Sequence, residues 1–218
     1  GMATQIPPHN PGETIRAALH LLDHPDAEVE ELMRIVPGPD FPEGGIIPGL
    51  DGVRQAYATG RGTFKIRAKV SVERTSARRM GLVITELPYM VGPERVIERI
   101  KDGVNSGKLK GIANVTNLTD RHHGLRLIID VKSGFDPHQV LGLLYKHTPL
   151  EESFGINAVS LVEGQPKTLS LKEMLEVFLG HRLDVTRRQA QFQFDKKKSR
   201  LHLVEGLLLA VLDIDDVI

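Results

Sequence analysis

The most constraining feature of the sequence is a stretch that alternates between apolar and polar side chains. In the run TGRGTFKIRAKVSV (residues 59–72), every second position from 64 onward is apolar: Phe64, Ile66, Ala68, Val70 and Val72. A period of two is typical of a β-strand with one buried face and one solvated face. We therefore predict one continuous strand here, which the chain enters through the glycines at positions 60 and 62.

The solvated face of this predicted strand is cationic. It carries Lys65, Arg67 and Lys69, and Arg61 precedes it in the glycine turn. Residues 59–79 contain seven Lys or Arg against the single acid Glu73, whereas the whole chain has 28 basic and 28 acidic residues. A cationic strand on a neutral chain favours a surface for a polyanion. An edge strand kept soluble by its lysines is the alternative, and charge alone does not separate the two.

The composition is that of an ordinary globular chain of 218 residues, with 40% hydrophobic and 26% charged residues. The absence of cysteine excludes disulfides and thiolate metal sites, and it fits a reducing cytoplasm. No apolar run approaches the ~18 residues that a membrane span needs. Charge is segregated, because residues 1–50 have a net charge of −6 and residues 181–203 a net charge of +5. Such segregation bears on partners more than the overall charge does.

Helix and strand patterns alternate through most of the chain. Short helices are predicted at 14–22, 29–36 and 51–59, the first with Ile15, Ala18, Leu19 and Leu22 on its buried face. Further strands are predicted at 82–87, 109–118 and 125–131, and further helices begin at Pro93 and Pro137. The order strand–strand–helix–strand–strand–helix predicts an α+β domain with a four-stranded mixed or antiparallel sheet. His9 and Asn10 precede the first helix, where a capping or turn role is favoured over phosphate contact.

The pattern changes after residue 168. Ser170 and Glu173 have the spacing of a capping box, and apolar residues then keep helical spacing to about residue 194. Residues 195–199 are either a polar break or a smooth continuation, and a helix over 201–212 is expected to pack on the first. The apolar ending Val217-Ile218 suggests an interrupted element. We therefore predict an N-terminal segment with short helices (1–50), an α+β domain (51–168) and long helices (169–218).

No catalytic centre is predicted from the residues. His122 and His123 adjoin in a loop without a third ligand at suitable spacing, which disfavours a metal site. No phosphate-binding glycine loop and no cysteine nucleophile are present, and the three tyrosines, Tyr57, Tyr89 and Tyr145, lie in apolar contexts typical of core residues. The pattern favours a binding module without catalytic residues, metal or cofactor of its own.

Several unusual strings occur together along the chain. GMATQIPPHN, PGPDFP, AYATGRGTFKIRAK, ITELPYMV, LYKHTPLEESFGIN and HLVEGLLLAVLDIDDVI run collinearly over residues 1–218. Together they resemble the A subunits of bacterial type IIA topoisomerases, the family that comprises DNA gyrase A and topoisomerase IV A. The motifs do not distinguish between these two members.

The resemblance implies a tower domain followed by the start of a coiled-coil arm. In this family the active tyrosine stands in an arginine–tyrosine–threonine setting, which none of the three tyrosines has, so the chain alone is expected to be inactive. The intact enzyme is expected to be a nucleoid-associated, cytoplasmic A2B2 topoisomerase that passes one duplex through another, with Mg²⁺ and ATP used through the B subunit. The chain alone is expected to be a monomer or weak dimer.

The resemblance also implies a partner for the cationic strand. Towers of this family bind the gate segment of double-stranded DNA, and phosphate contacts need cations but no base recognition. The expected DNA-binding residues are Arg61, Lys65 and Arg67, followed by Lys69, Arg78 and Arg79. His147 either approaches DNA or, more readily, makes a structural hydrogen bond. The alternative function is a scaffold whose terminal helices bind a protein partner.

Overall fold

The computed structural model describes residues 3–76, 79–122 and 124–212. The chain forms two compact units, Gly1–Glu173 and Met174–Ile218. The predicted α+β class is confirmed, because helices and antiparallel strands alternate along the first unit. Within the described ranges, no helix combines the length and the apolar character that crossing a lipid bilayer requires.

Three helices precede the first strand: α1 (Pro11–Asp23), α2 (Val29–Ile35) and α3 (Asp51–Thr59). The Asn10 side chain caps α1 by accepting hydrogen bonds from the backbone N–H groups of Gly12 at 3.0 Å and Glu13 at 3.2 Å. The capping role predicted for Asn10 is therefore confirmed.

The predicted buried face of α1 is wrong. Ala18 is buried as predicted, but the other core residues of the helix are Ala17 and Leu21, and the apolar residues Ile15, Leu19 and Leu22 are exposed. The helix carries apolar residues on two adjoining stripes. The packing of α1 against neighbouring elements, α2 among them, decides which stripe enters the core, and the spacing of residues along α1 does not contain that information.

The single strand predicted over residues 64–72 is also wrong. The chain forms two strands, β1 (Arg61–Arg67) and β2 (Lys69–Ser76), which belong to different sheets. Ala68 lies between them, fully buried, and its N–H donates to the carbonyl oxygen of Leu150 at 2.8 Å. β1 buries Phe64 and Ile66, and β2 half-buries Val70 and Val72, so the period of two continues through Ala68 although the pairing partners change.

The first of these strands pairs antiparallel with β6 (Glu151–Asn157). It also lies directly beneath α3, where Gly60 ends the helix in the left-handed region with φ of 75°. At Gly62 a Cβ atom would clash with the carbonyl oxygen of Gly52 and lie 2.8 Å from the backbone nitrogen of Ala56. The glycine at position 62 thus permits the close approach of helix and strand.

The second strand begins a four-stranded antiparallel sheet of order β2-β3-β5-β4, as expected for a four-stranded sheet. Its other members are β3 (Arg79–Glu86), β4 (Ile112–Asn117) and β5 (Leu127–Val131). Two helices, α4 (Pro93–Asn105) and α5 (Pro137–His147), cover one face of this sheet, and both have proline in the first turn as predicted. The shared core includes Leu82, Ile84, Val96, Ile100, Leu127, Ile129, Val140 and Leu144.

A short hairpin of two strands, β7 (Val159–Val162) and β8 (Gln165–Thr168), follows β6. The sequence patterns did not predict β6, β7 or β8. The two-residue loop of the hairpin is Glu163-Gly164, with φ of 52° and 80° respectively. Positive φ at both central positions is the geometry of the tight hairpin turn that matches strand twist.

One helix, α6 (Leu171–Leu212), continues without interruption for 42 residues. Its predicted capping box is confirmed: the Ser170 N–H donates to the Glu173 carboxylate at 2.7 Å, and the Glu173 N–H donates to Ser170 Oγ at 3.2 Å. Of the two alternatives for residues 195–199, the smooth continuation is confirmed, because these residues are helical, and the separate 201–212 helix packed on the first is wrong. Residues 195–199 contain no glycine or proline, and the Gln191 amide donates to Asp195 one turn later at 2.9 Å.

Candidate nucleic-acid interface

The β1–β6 ladder places two of the predicted DNA-binding cations on one face. Arg67 stands opposite Glu151 and Lys65 opposite Ser153 in the antiparallel register. Residues directly opposite and two positions along share a face, so both cations lie beside the carboxylate of Glu151. The ladder therefore unites Lys65, Arg67 and Glu151, which we call the strand surface.

The opposite face of the ladder is an aromatic cluster. Phe64 of β1 stacks on Phe154 of β6 with ring centroids 5.6 Å apart. Phe41 and Tyr89 close the cluster, with centroids 5.7 and 6.3 Å from that of Phe154. Such packing fixes the backbone from which Lys65 and Arg67 project, since aromatic pairs stabilise beyond their buried area.

The carboxylate of Glu151 binds both cations of the strand surface. Lys65 Nζ donates to Oε1 at 2.6 Å, and Arg67 Nε donates to Oε2. The Glu151 side chain is only 12% exposed, against 56% for Lys65 and 40% for Arg67. Burial alone would raise the pKa of Glu151, but the hydrogen bonds from Lys65 and Arg67 outweigh it and hold the pKa below its ordinary value. Glu151 is therefore ionised at neutral pH, and the three side chains carry a net charge of +1.

The guanidinium group of Arg67 is held from a second side by α5. Its central carbon lies 5.0 Å from the ring centroid of Tyr145, within the range of a cation–π contact. The Tyr145 hydroxyl donates to the carbonyl oxygen of Ala68 at 3.2 Å, and burial raises the pKa of Tyr145. Among the described residues, the terminal guanidinium nitrogens of Arg67 have no hydrogen-bond partner. They form a positioned fork of the kind that suits a phosphate group.

Lys69 does not join the strand surface. It lies on β2 and donates to Glu86 Oε1 at 2.9 Å, while the other carboxylate oxygen of Glu86 accepts the Gly45 N–H at 2.6 Å. The hydrogen bond from Gly45, followed by that from Lys69, lowers the pKa of Glu86. Lys69 thus belongs to a separate ion pair at the edge of the four-stranded sheet.

The remaining predicted residues are dispersed. Arg61 begins β1, four residues from Lys65 and hence roughly 13 Å along the strand. Arg79 begins β3 opposite Ser76, at the far end of the hairpin from Lys69. Both arginines are exposed and have no ion pair with the part of the chain that the structure describes. Arg78 lies outside the described residues, and the other five predicted residues do not form one cluster.

A second group of cations, which the sequence patterns did not predict, lies on α4 and near the end of α5. One groove of about 280 Å³ is lined by Arg95, Arg99, Lys146, His147, Glu151 and Glu152, together with Tyr145, Thr148 and Pro149. An adjoining groove of about 300 Å³ shares Arg99 and His147 and adds Lys108 and Asp102. The signal was present, since Arg95 and Arg99 are four residues apart and follow one polar side of α4.

Most of these groove cations lack a carboxylate partner. Arg95 Nη2 donates to Glu152 Oε1 at 3.2 Å, but Arg99, Lys108 and Lys146 make no ion pair with any described residue. The structural hydrogen bond favoured for His147 is likewise not found within the described ranges. We call the set Arg99, Lys108, Lys146 and His147 the helix surface.

His9 has a structural role close to α3. Its Nδ1 donates to the Pro7 carbonyl oxygen at 2.8 Å, so Nε2 accepts the hydroxyl of Tyr57 at 2.8 Å. Burial lowers the pKa of His9 and raises the pKa of Tyr57. The Tyr57 hydroxyl is thus a protonated donor in the core, as predicted for a core tyrosine.

No group of three or more His, Asp or Glu side chains among the described residues is arranged to hold a metal ion. His122, one of the two adjacent histidines considered above, is exposed in its loop, and His123 lies outside the described residues. The cations described above form two surfaces, the strand surface and the helix surface.

Known proteins match this chain over its whole length. The family model for the DNA gyrase/topoisomerase IV A subunit matches residues 1–218. The A subunit of DNA gyrase from Brachyspira hyodysenteriae is 44% identical over 218 residues, which are 100% of this chain and 26% of the relative. The corresponding gyrase subunits of Pseudomonas aeruginosa and Staphylococcus aureus are 46% and 43% identical over 100% of this chain and 24% and 25% of their own lengths. The chain thus spans about a quarter of the length of these relatives.

Proposed function

The chain belongs to the family of DNA gyrase and topoisomerase IV A subunits, as its motifs predict, and we propose that it is a module that binds the backbone of gate-segment DNA. The observation that carries this proposal is the strand surface, where Lys65 and Arg67 project from a rigid ladder. Arg67 in addition keeps its guanidinium fork available to phosphate oxygens.

The mode of binding is electrostatic and independent of base sequence. The strand surface holds cations at fixed positions. Contacts between such cations and phosphates orient a protein on a duplex without recognising its bases. Bending a duplex of 20–30 base pairs costs about 1–6 kcal/mol, and phosphate contacts on both sides of a bend offset this cost. A rigid ladder suits this task because it holds the contacts in place while the DNA deforms.

The activity of the intact protein is also part of the proposal. In it, the module serves an ATP-dependent, nucleoid-associated cytoplasmic topoisomerase of A2B2 composition that changes DNA supercoiling or linkage. ATP and Mg²⁺ act through the B subunit, and the cleaving tyrosine belongs to a part of the intact protein outside these 218 residues. The isolated chain accordingly binds DNA without cleaving it, and a covalent protein–DNA adduct formed by this chain would contradict that statement.

Fluorescence anisotropy with a labelled duplex of about 30 base pairs tests DNA binding. We expect the affinity of the wild-type chain to fall steeply with salt, with a logarithmic slope of about −0.9 per phosphate neutralised. The variant Lys65→Glu/Arg67→Glu should bind at least about 10-fold more weakly at low salt. A matched control is Arg16→Glu/Arg34→Glu, which makes the same change in net charge at exposed positions on α1 and α2.

Two results would contradict the proposal. If the wild-type chain shows no salt-sensitive binding, the proposal that it binds DNA is wrong. If the strand-surface variant and the control bind DNA with equal affinity, the assignment of the binding site to β1 is wrong. Circular dichroism of each variant establishes that the fold is retained, so that a loss of affinity is attributable to charge.

A second candidate function rests on the last turns of α6. The segment 201–212 has eight large apolar residues that are each between 44% and 70% exposed: Leu201, Leu203, Val204, Leu207, Leu208, Leu209, Val211 and Leu212. Exposed apolar surface of this extent marks a protein-binding site. The alternative is therefore a scaffold whose terminal helix binds a protein partner. Light scattering of wild type and Leu207→Lys/Val211→Lys tests it, because self-association that is abolished in the variant would support this function.

A further inference from the structure

We propose that the helix surface, Arg99, Lys108, Lys146 and His147, is a second binding site for the phosphate backbone of double-stranded DNA. This inference rests on the proposed DNA-binding function and extends it to residues outside the β1 strand. The two adjoining grooves on α4 and α5 form the site, and they share Arg99 and His147.

The first argument is the availability of charge. Lys65 and Arg67 share the carboxylate of Glu151, and Lys69 is bound to Glu86. A phosphate that approaches these cations is repelled by a carboxylate that already offsets part of their charge. Arg99, Lys108 and Lys146 have no such carboxylate partner among the described residues, so a phosphate gains their full attraction. Charge-assisted hydrogen bonds of this kind are stronger than neutral ones.

The second argument is that the acids near the grooves are largely neutralised. The first groove is lined by Glu151 and Glu152, and these carboxylates are bound by Lys65 and Arg67 and by Arg95 respectively. The second groove has Asp102 as its acidic lining residue, against the cations Arg99 and Lys108. The field within both grooves is therefore positive, which attracts an anion.

The third argument is continuity with the strand surface. Tyr145 and Glu151 line the first groove, and both contact Arg67. A backbone bound to the fork of Arg67 therefore reaches the first groove without crossing an uncharged region. The second groove prolongs the same path through Arg99 and His147.

The chemistry of the grooves favours a phosphodiester backbone over an acidic protein. Protein interfaces centre on buried apolar anchors in pockets. Both grooves are small and are lined mainly by charged and polar side chains, with Pro149 and Tyr145 as the larger apolar groups. Such grooves accommodate phosphate oxygens, which carry charge and need no apolar contact.

The test measures the affinity for the 30-base-pair duplex as a function of salt for Arg99→Glu/Lys146→Glu. We expect the affinity to fall at least about 10-fold at low salt and the logarithmic slope to become shallower, by about 0.9 for each phosphate that is no longer neutralised. The charge-matched control is again Arg16→Glu/Arg34→Glu, which should keep the wild-type slope. The neutral variant Arg99→Gln/Lys146→Gln, with smaller effects in the same direction, serves if charge reversal impairs folding.

The outcomes separate this inference from the function on which it rests. Weakened binding by Lys65→Glu/Arg67→Glu, with wild-type binding in both Arg99/Lys146 variants, would overturn the helix surface and leave the proposed function standing. A decrease in the α1–α2 control as large as in Arg99→Glu/Lys146→Glu would also overturn it, because net charge alone would then explain the effect. No salt-sensitive binding by the wild-type chain would overturn both.

Discussion

The strand surface and the helix surface both carry several cations, but they differ in how that charge is held. Lys65 and Arg67 of the strand surface share one carboxylate and stand on a packed aromatic cluster. Arg99 and Lys146 of the helix surface have no ion pair with the described part of the chain and project from helix exteriors. The first surface is ordered and partly neutralised, and the second is unneutralised and less constrained. Counting cations in a sequence therefore does not measure the charge available to a ligand.

The largest expected effect comes from a substitution in the packing between β1, which carries the strand surface, and α3. Replacing Gly62 by alanine places a Cβ atom against the backbone of α3, at Gly52 and Ala56. Because the neighbouring atoms are backbone, helix and strand must separate, and we expect stability in urea unfolding to fall by roughly 3 kcal/mol. The matched control is Gly142→Ala on α5, where nothing lies within 4 Å of the new methyl group and helix propensity improves. A Gly62→Ala variant as stable as the control would show that the close packing is relieved at little cost.

The next largest effect comes from removing the carboxylate charge that partly neutralises the strand surface. In Glu151→Gln, Lys65 and Arg67 lose their shared counter-ion, so the full charge of both attracts phosphate. We expect the affinity for duplex DNA to rise about 3- to 10-fold at low salt, with a steeper salt dependence. Glu152→Gln, which frees only Arg95, is the control and should give a smaller rise. Weaker DNA binding by Glu151→Gln would instead show that ordering by the carboxylate matters more than the charge it cancels.

The ion pairs of the strand surface also predict a dependence of stability on pH. The pKa of Glu151 is lowered in the folded chain, so its contribution to stability is present above the unfolded value of about 4.3. This contribution disappears as pH falls through the lower folded value. The difference in unfolding free energy between wild type and Glu151→Gln should therefore be constant near neutrality and shrink below about pH 4.3. A difference that does not change between about pH 6 and pH 3 would contradict the ionic origin of the interaction.

The smallest effect concerns Lys69, which the sequence period grouped with Lys65 and Arg67. Its pair with Glu86 is partly exposed, and such pairs contribute at most about 1 kcal/mol. We expect Lys69→Gln to change stability by less than about 0.5 kcal/mol and DNA affinity by less than about 2-fold. Thermal unfolding and the anisotropy titration measure both quantities. A decrease in affinity equal to that of Lys65→Gln would place Lys69 within the DNA contact after all.

The features that were predicted well from the sequence were determined by neighbouring residues. The capping box at Ser170 and the proline starts of α4 and α5 depend on spacings of one to three residues, and all three are confirmed. The family resemblance likewise rested on contiguous strings. The split of the predicted strand at Ala68 depends instead on Leu150 and β6, which are about 80 residues away and carry a weak alternation.

The candidate site was predictable only in part for the same reason. Lys65 and Arg67 were identified by the strand period, which is local. Their shared counter-ion, Glu151, is 86 and 84 residues distant and has no pattern that links it to them. Part of the helix surface was predictable from neighbouring residues, since Arg99 is one turn from Arg95 on α4. Lys146 and His147 lie beside Arg99 only because α4 packs against α5.

The uninterrupted course of α6 has a mechanical consequence. Between Gly180 and Gly206, the two glycines of the helix, 26 residues rise about 39 Å without a further glycine or a proline. A helical segment of that length behaves as a lever arm, so a tilt of about 5° at one end carries the other end roughly 3 Å sideways. Because residues 195–199 continue the helix and do not break it, the segment transmits small rotations from one end to the other.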